Sequence, residues 1–288
     1  MKRLSKSMVV CFMASVMMMT VGCQKKDIAP IIPEGCLPGL FSVSETQQVY
    51  FSRGNLQYQA STNTWRFAEH QYDYVGTQTA DGNGNYGGNV SGSDNRNISS
   101  TYSGWIDLFG WGTGSNPTLS STSFEDYGTF VDWGCNAISN GGNTANQWRT
   151  LTRAEWYYLL NTRTDASSKC GTGNINGVGG LIILPDSWTL PSECSFTLGF
   201  CSPSGDNYPD WTRNSYTLAQ WSQMEAAGAV FLPAAGGRNG TNVYRVGRYG
   251  FYWSSAPSGG NMYFGCYSLS VSLENRFNGY SVRSVQDN

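Results

Sequence analysis

Few residues of this 288-residue chain are of the kinds that do covalent chemistry. His70 is the single histidine, so a Ser-His-Asp relay or a histidine-based metal site has almost nothing to build on. It reads as a loop or strand-end residue. No two of the eight cysteines are spaced C-x-x-C, which removes the zinc and thioredoxin-like patterns. Glycoside hydrolysis needs two carboxylates across a cleft. Asp107, Asp126, Asp132, Glu155, Asp186, Glu193, Asp206 and Asp210 could supply them, but the sequence brings no pair together. Most sit in turn-forming contexts, as in Leu184-Pro185-Asp186-Ser187 and Tyr208-Pro209-Asp210-Trp211. Cys266 stands alone in the final stretch, where Arg276 and Arg283 could supply positive charge to a reactive thiol. A disulfide half or a small exposed side chain is the simpler reading. No metal or cofactor is expected. With a net charge of −2 and no cluster of Lys and Arg, nucleic acid has no electrostatic foothold.

The elements that would position a site are legible in part. Charged residues are 13% of the chain, aromatics 14%, and Gly contributes 35 residues, which points to a β-rich, loop-rich exported protein large enough for a sizeable core. Strand patterns run through Phe41-Ser42-Val43, Val49 to Ser52, Leu56-Gln57-Tyr58 and Trp65-Arg66-Phe67, with turns at Gly54-Asn55 and Ser61-Thr62-Asn63. Gly76 to Gly104 reads as a long surface loop, too poor in apolar residues to form core. Trp105 to Gly112 predicts a core strand with a tight turn, and Asp126 to Gly134 another strand and turn. Thr152-Arg153-Ala154-Glu155 and Thr217-Leu218-Ala219-Gln220 are capping boxes that predict two helices, the second stopped by Gly228. Apolar strands follow at Gly180 to Pro185 and Ala229 to Pro233. Two capped helices beside a twisted antiparallel sheet make an α+β architecture.

The closing stretch, Gly247 to Val285, opens on the aromatics Tyr249, Phe251, Tyr252 and Trp253 and ends on the alternating run Tyr280 to Val285. Between them one parity holds Tyr263, Gly265, Tyr267, Leu269, Val271 and Leu273. The other holds Phe264, Cys266, Ser268, Ser270, Ser272 and Glu274. A strand sends alternate side chains to opposite faces, so one row can pack inward while the other is presented. A binding surface and an ordinary edge hairpin both fit.

At the other end, Lys2, Arg3 and Lys6 precede an apolar Met8–Val21 segment, too short for a membrane span of about 20 residues. Gly22-Cys23 then fits a lipoprotein cleavage site, although Thr20 stands where Leu is usual. Residues 1–22 are expected to be a signal peptide, Cys23 the lipid-bearing first residue, 23–39 a tether, and 40–288 a single domain. The expected location is the outer membrane, at the cell surface, with the lipid at Cys23 as the membrane contact. The mature chain keeps 15 basic and 20 acidic residues, a net −5. Losing Cys11 to cleavage and Cys23 to lipid leaves six cysteines, an even number that suits disulfides in an oxidising compartment. The short 194–201 spacing favours that pair among about 15 possible pairings.

Gly250-Phe251-Tyr252-Trp253-Ser254-Ser255 and Arg276-Phe277-Asn278-Gly279-Tyr280-Ser281-Val282-Arg283 resemble the closing signature of the Fibrobacter-type major paralogous domain. The likeness covers the chain from about Thr150 onward. It implies a C-type-lectin-like fold in a surface lipoprotein. Some relatives are variable proteins of diversity-generating retroelements, in which substitutions gather just before the closing phrase and change the ligand bound. By position, the ligand-binding residues implied here are Asn261, Tyr263, Phe264, Cys266 and Ser268, then Ser270, Ser272, Asn275, Asn278 and Tyr280. Asn, Tyr, Ser, Gly and Cys are what mutation of asparagine codons produces, and they mix aromatic contact area with adaptable polar groups. A paralogous domain with one fixed ligand fits equally. The ligand would be a protein or a carbohydrate. Calcium-bridged sugar recognition is disfavoured, because Trp253-Ser254-Ser255 lacks the carboxylate and amide expected there. Formylglycine-generating enzymes share this fold class but need a cysteine pair near the domain's end. An oxidoreductase-type or hydrolytic enzyme, or a fimbria-associated structural role, are the alternatives. A pocket holding Cys266 beside another cysteine or a carboxylate would favour the enzyme, and an open surface displaying the even-numbered row would favour the binder.

Overall fold

Short apolar runs separated by Gly, Asn and Ser turns become strands in the computed structural model, which describes residues 31–76, 94–201, 210–256 and 259–288. The signal segment, Cys23 and the tether as far as Pro30 lie outside the described residues, as do 77–93 of the expected long loop. Within residues 32–288, which form one compact unit, the strands pair into five small, mostly antiparallel sheets. Together with two short α-helices they make a β-rich α+β fold, and no sheet closes into a barrel among the described residues.

One sheet ties the start of the unit to its end. Cys36–Ser42 pairs with Gln48–Ser52, which pairs with the last strand, Ser284–Asp287, and that with Arg149–Thr150. Ordered strand therefore begins at Cys36, inside the stretch read as tether. A second sheet holds Cys170–Ile175, Val178–Ile183 and Val230–Pro233, with Ser215–Tyr216 added in parallel at its edge. The aromatic runs supply the core. Phe41, Phe51, Trp156, Leu181, Leu232, Tyr252 and Val285 meet in one cluster, and Phe67, Phe109, Trp133, Trp148, Trp253 and Tyr280 in a second.

Both capping boxes form. Glu155 N–H donates to Thr152 Oγ1 (3.1 Å) while Thr152 N–H donates to the Glu155 carboxylate (2.7 Å), opening α1, Arg153–Tyr157. Beyond Tyr157 the helix widens into a π turn through Thr162 that sets Leu159 and Leu160 on the core. The same exchange between Thr217 and Gln220 opens α2, Leu218–Ala226, and Gly228, at φ +96°, takes the left-handed conformation that stops it.

Two local expectations are corrected. Asp126–Gly134 forms no named strand. It holds part of one 3-10 turn, Phe124–Tyr127, and the start of another, Trp133–Cys135. Asp132 accepts from Gly134 N–H, and Gly134 packs so tightly on the Trp148 carbonyl that a Cβ would sit 1.7 Å from its oxygen. Tyr280–Val285 is split between strands Asn278–Tyr280 and Ser284–Asp287, which belong to different sheets. The six described cysteines are free. Cys194 Sγ donates to the Gln220 carbonyl and Cys201 Sγ to the Asp210 carbonyl. No helix among the described residues is long and apolar enough to cross a membrane.

Candidate ligand-binding surface

The closing stretch folds as three antiparallel strands, Tyr249–Trp253, Gly260–Gly265 and Ser268–Leu273, hydrogen-bonded in that order. Gly265 pairs with Ser268, leaving Cys266 and Tyr267 as a two-residue turn. The single alternation read from 263 to 274 is therefore corrected, because a turn of two residues swaps the parity that faces each side. Phe264 lies opposite Leu269 and Met262 opposite Val271, and this row packs on the larger core cluster. Tyr263 lies opposite Ser270, Asn261 opposite Ser272, and Gly265 opposite Ser268, which makes the other face.

The ten residues implied by the resemblance consequently separate. Tyr263, Ser268, Ser270 and Ser272 are half-buried and share the outer face, and Asn275 is exposed in the turn that follows. Asn261 belongs to that face but is fully buried, its amide oxygen accepting from Ser272 Oγ at 2.9 Å. Phe264 is fully buried on the opposite face between Tyr252 and Trp211. Cys266 is buried in the turn, and burial pushes its thiol above the ordinary range, the reverse of an activated nucleophile. Asn278 and Tyr280 are core. Tyr280 stacks on Phe251 with centroids 4.8 Å apart and accepts from Asn278 Nδ2 at 2.9 Å. In the folded chain these five are buried.

The structure adds neighbours that spacing alone did not single out. Tyr249 and Tyr267 share a hydroxyl–hydroxyl bond of 2.8 Å across the turn, with Tyr267 45% exposed. Arg245, held at φ +58°, and Arg248 place their guanidinium carbons 5.0 and 5.8 Å from the Tyr249 ring. The face is thus a rim of Tyr and Arg around three serines. Behind the turn lies a cavity of about 400 Å³ whose lining includes Leu160, Asn161, Phe200, Tyr267 and Leu269.

Rigid anchors hold this sheet. Gly250 lies directly under the Phe264 ring, where a Cβ would come within 2.3 Å of Cζ. Trp253 Nε1–H donates to the Phe109 carbonyl at 2.6 Å and Tyr252 Oη–H to that of Pro233 at 2.9 Å. Arg283, 1% exposed, donates to the Phe231 carbonyl and to Gln71 Oε1. Burial lowers its pKa to about 10, so it stays charged at neutral pH. Arg276 donates to the Tyr127 carbonyl and lies over Trp111. Both arginines brace the domain from within.

Of the carboxylates weighed for catalysis, Asp206 lies outside the described residues, and four others are tied into the framework. Asp107 accepts from Val75 N–H and Asn95, Asp132 from Gly134 and Thr150, and Glu155 forms a two-pronged pair with Arg149. Asp186, read as a turn-former, is a hub. It pairs with Arg163, which is 2% exposed, at 2.9 Å, and accepts from Ser42 and Gln48. Among the described residues no group of three His, Cys, Asp or Glu side chains is arranged to hold a metal ion. One cysteine does stand beside Cys266. Cys201 N–H donates to the Cys266 carbonyl at 2.8 Å, and both residues are buried.

No protein-family model, curated protein or solved structure matches the chain. Fold and site define a class only: a β-rich α+β domain whose closing three-stranded sheet packs one face on the larger core cluster and part of the other, through Phe251 and Trp253, on the second, leaving half-buried Tyr263 and the serines of its last strand at the margin of that second face.

Proposed function

We propose that this chain is an exported binding protein, anchored in the outer membrane through lipid at Cys23 and displayed at the cell surface. Its fold is C-type-lectin-like, and it meets a protein or glycan ligand with the outer face of the closing sheet. The observation that carries the proposal is the division of the hairpin into two faces, one fixed by Phe264, Met262 and Tyr252 and the other offering Tyr263, Ser268, Ser270 and Ser272. A rigid frame lets aromatic and hydroxyl groups bind without a large ordering cost. The two capped helices beside antiparallel sheets, and the sequence resemblance of the closing phrases, support the lectin-like assignment.

Diversification of this surface is tested by sequencing the gene's closing segment across isolates and passaged cultures. Substitutions should gather at Tyr263, Ser268, Ser270, Ser272 and Asn275 while Trp253, Gly279 and Arg283 stay fixed. An invariant segment would leave a receptor with one fixed ligand. An enzyme on the same fold is the second reading, favoured by the Cys201–Cys266 juxtaposition. Turnover abolished by Cys266→Ser, with folding intact, would establish it in place of the binder.

A further inference from the structure

The outermost strand of the closing sheet, Ser268–Leu273, pairs with Gly260–Gly265 on one side and with no other strand among the described residues. Natural edges are blunted by charge, proline, bulges, shortness or a covering helix or loop. This one carries no charge, proline or bulge: its sequence is SLSVSL, and its pairing register runs without a break from Gly265↔Ser268 to Gly260↔Leu273, with α1 as its helical neighbour. Each of its residues is half-buried or exposed, and Leu273 is 53% exposed.

The two-residue turn also fixes which backbone groups are free. Gly265 and Ser268 flank it and form a hydrogen-bonded pair, so by antiparallel alternation Ser270 and Ser272 bond inward as well. The N–H and C=O groups of Leu269, Val271 and Leu273 therefore point to the open edge. These are the alternate residues of Leu269-Ser270-Val271-Ser272-Leu273, which reads the same in both directions.

We infer that this edge is a self-association surface, pairing antiparallel with the same strand of a second copy about a two-fold axis at Val271. In that register Val271 meets the partner's Val271, and Leu269 meets the partner's Leu273. All six free backbone groups on each strand find partners, forming six hydrogen bonds. Ser270 falls opposite the partner's Ser272, a hydroxyl pair that suits a close, non-hydrogen-bonded site. The exposed Leu273 gains an apolar neighbour on the face where Leu269 and Val271 already pack. Pairing is isologous and closes at two copies. It makes one six-stranded sheet and brings the two Tyr/Ser faces side by side. The inference does not depend on the proposed ligand-binding role, because edge pairing needs only the strand itself.

Sedimentation equilibrium of the full chain in detergent should give a monomer–dimer equilibrium with a dissociation constant of about 10–100 µM, as suits a small interface. Val271→Pro removes an outward N–H without touching the inner ladder, and Leu273→Lys adds the charge that edges use for protection. Each should weaken association at least about tenfold. Val271→Cys should cross-link to itself under oxidation, well above the wild-type background and above Ser270→Cys, which is out of line with its own copy. A chain that remains monomeric at about 100 µM overturns the inference. So does a dimer that neither Leu273→Lys nor Val271→Pro weakens, or one in which Val271→Cys does not cross-link. Near-ultraviolet circular dichroism of each variant separates loss of pairing from loss of fold.

Discussion

Replacing Phe264 by Ala tests the two-face description of the hairpin most severely, because the linear alternation put Phe264 in the same row as Ser270. The phenyl ring is fully buried, lies 6.1 Å from Tyr252 and 6.2 Å from Trp211, and covers Gly250. Truncation of a buried Phe removes its transfer free energy and leaves a cavity, about 3–5 kcal/mol together. The loss falls toward the upper end here, since Gly250 has no side chain to fill the space. Against a total stability of about 5–15 kcal/mol, that is a third or more. Ser270, half-buried on the outer face, should tolerate Ala, Asn or Tyr within about 0.5 kcal/mol. Urea titration followed by tryptophan fluorescence reads both, and the midpoint should fall steeply for Phe264→Ala with an unchanged slope. Equal costs at the two positions, or less than about 1 kcal/mol at Phe264, would refute the face assignment.

Two further outcomes follow from the ion-pair hub and the cysteines. Burial raises the Asp186 carboxyl pKa, but the hydrogen bonds from Ser42, Gln48 and Arg163 outweigh it and hold the group below its ordinary value. A depressed pKa contributes stability above the unfolded-state value of about 3.9, and that contribution is lost as pH falls through the folded value. Asp186→Asn should therefore cost about 3 kcal/mol at neutral pH, because it strands the buried Arg163. Its unfolding free energy should also fall less than the wild type's on titration from pH 6 toward pH 3, a range set about the carboxylate value; parallel curves would contradict this. The 2.8 Å backbone bond from Cys201 N–H to the Cys266 carbonyl sets the two cysteines side by side. If the chain is exported as proposed, a thiol oxidase accepting two electrons and two protons should join Cys201 to Cys266. Peptide mapping that finds Cys201 linked to Cys194 instead would refute the pairing.

The parts of the fold that were legible in the sequence rest on local chemistry. Thr152 with Glu155 and Thr217 with Gln220 satisfy helix-end amides through side chains three residues apart, so the motif and the structure coincide. The first four strands and the Gly228 stop follow from alternation and left-handed glycine in the same way. The hairpin at Cys266-Tyr267 was hidden because neither residue takes a positive φ. Without the Gly, Asn or Asp that such a turn would demand, the alternation on either side merges into one apparent strand. That Arg283 pins the closing hairpin was legible, but what it and Asp186 bind was hidden for another reason. Their partners, Phe231 and Gln71 for one and Ser42, Gln48 and Arg163 for the other, lie between 23 and 212 residues away in sequence. Tyr280 and Asn278 look like surface residues until Phe251, from another sheet, is placed against them.

The most direct test of the central claim is binding of the full chain to paired glycan and cell-surface-protein arrays, alongside Tyr263→Ala, Ser270→Arg and a control, Glu45→Ala, on a remote turn. The account predicts selective signals that the control retains and that both outer-face variants lose by about tenfold or more, the loss of one aromatic anchor or one blocked contact. Signals that persist unchanged in Tyr263→Ala and Ser270→Arg, or an absence of selective binding on both arrays, would contradict it.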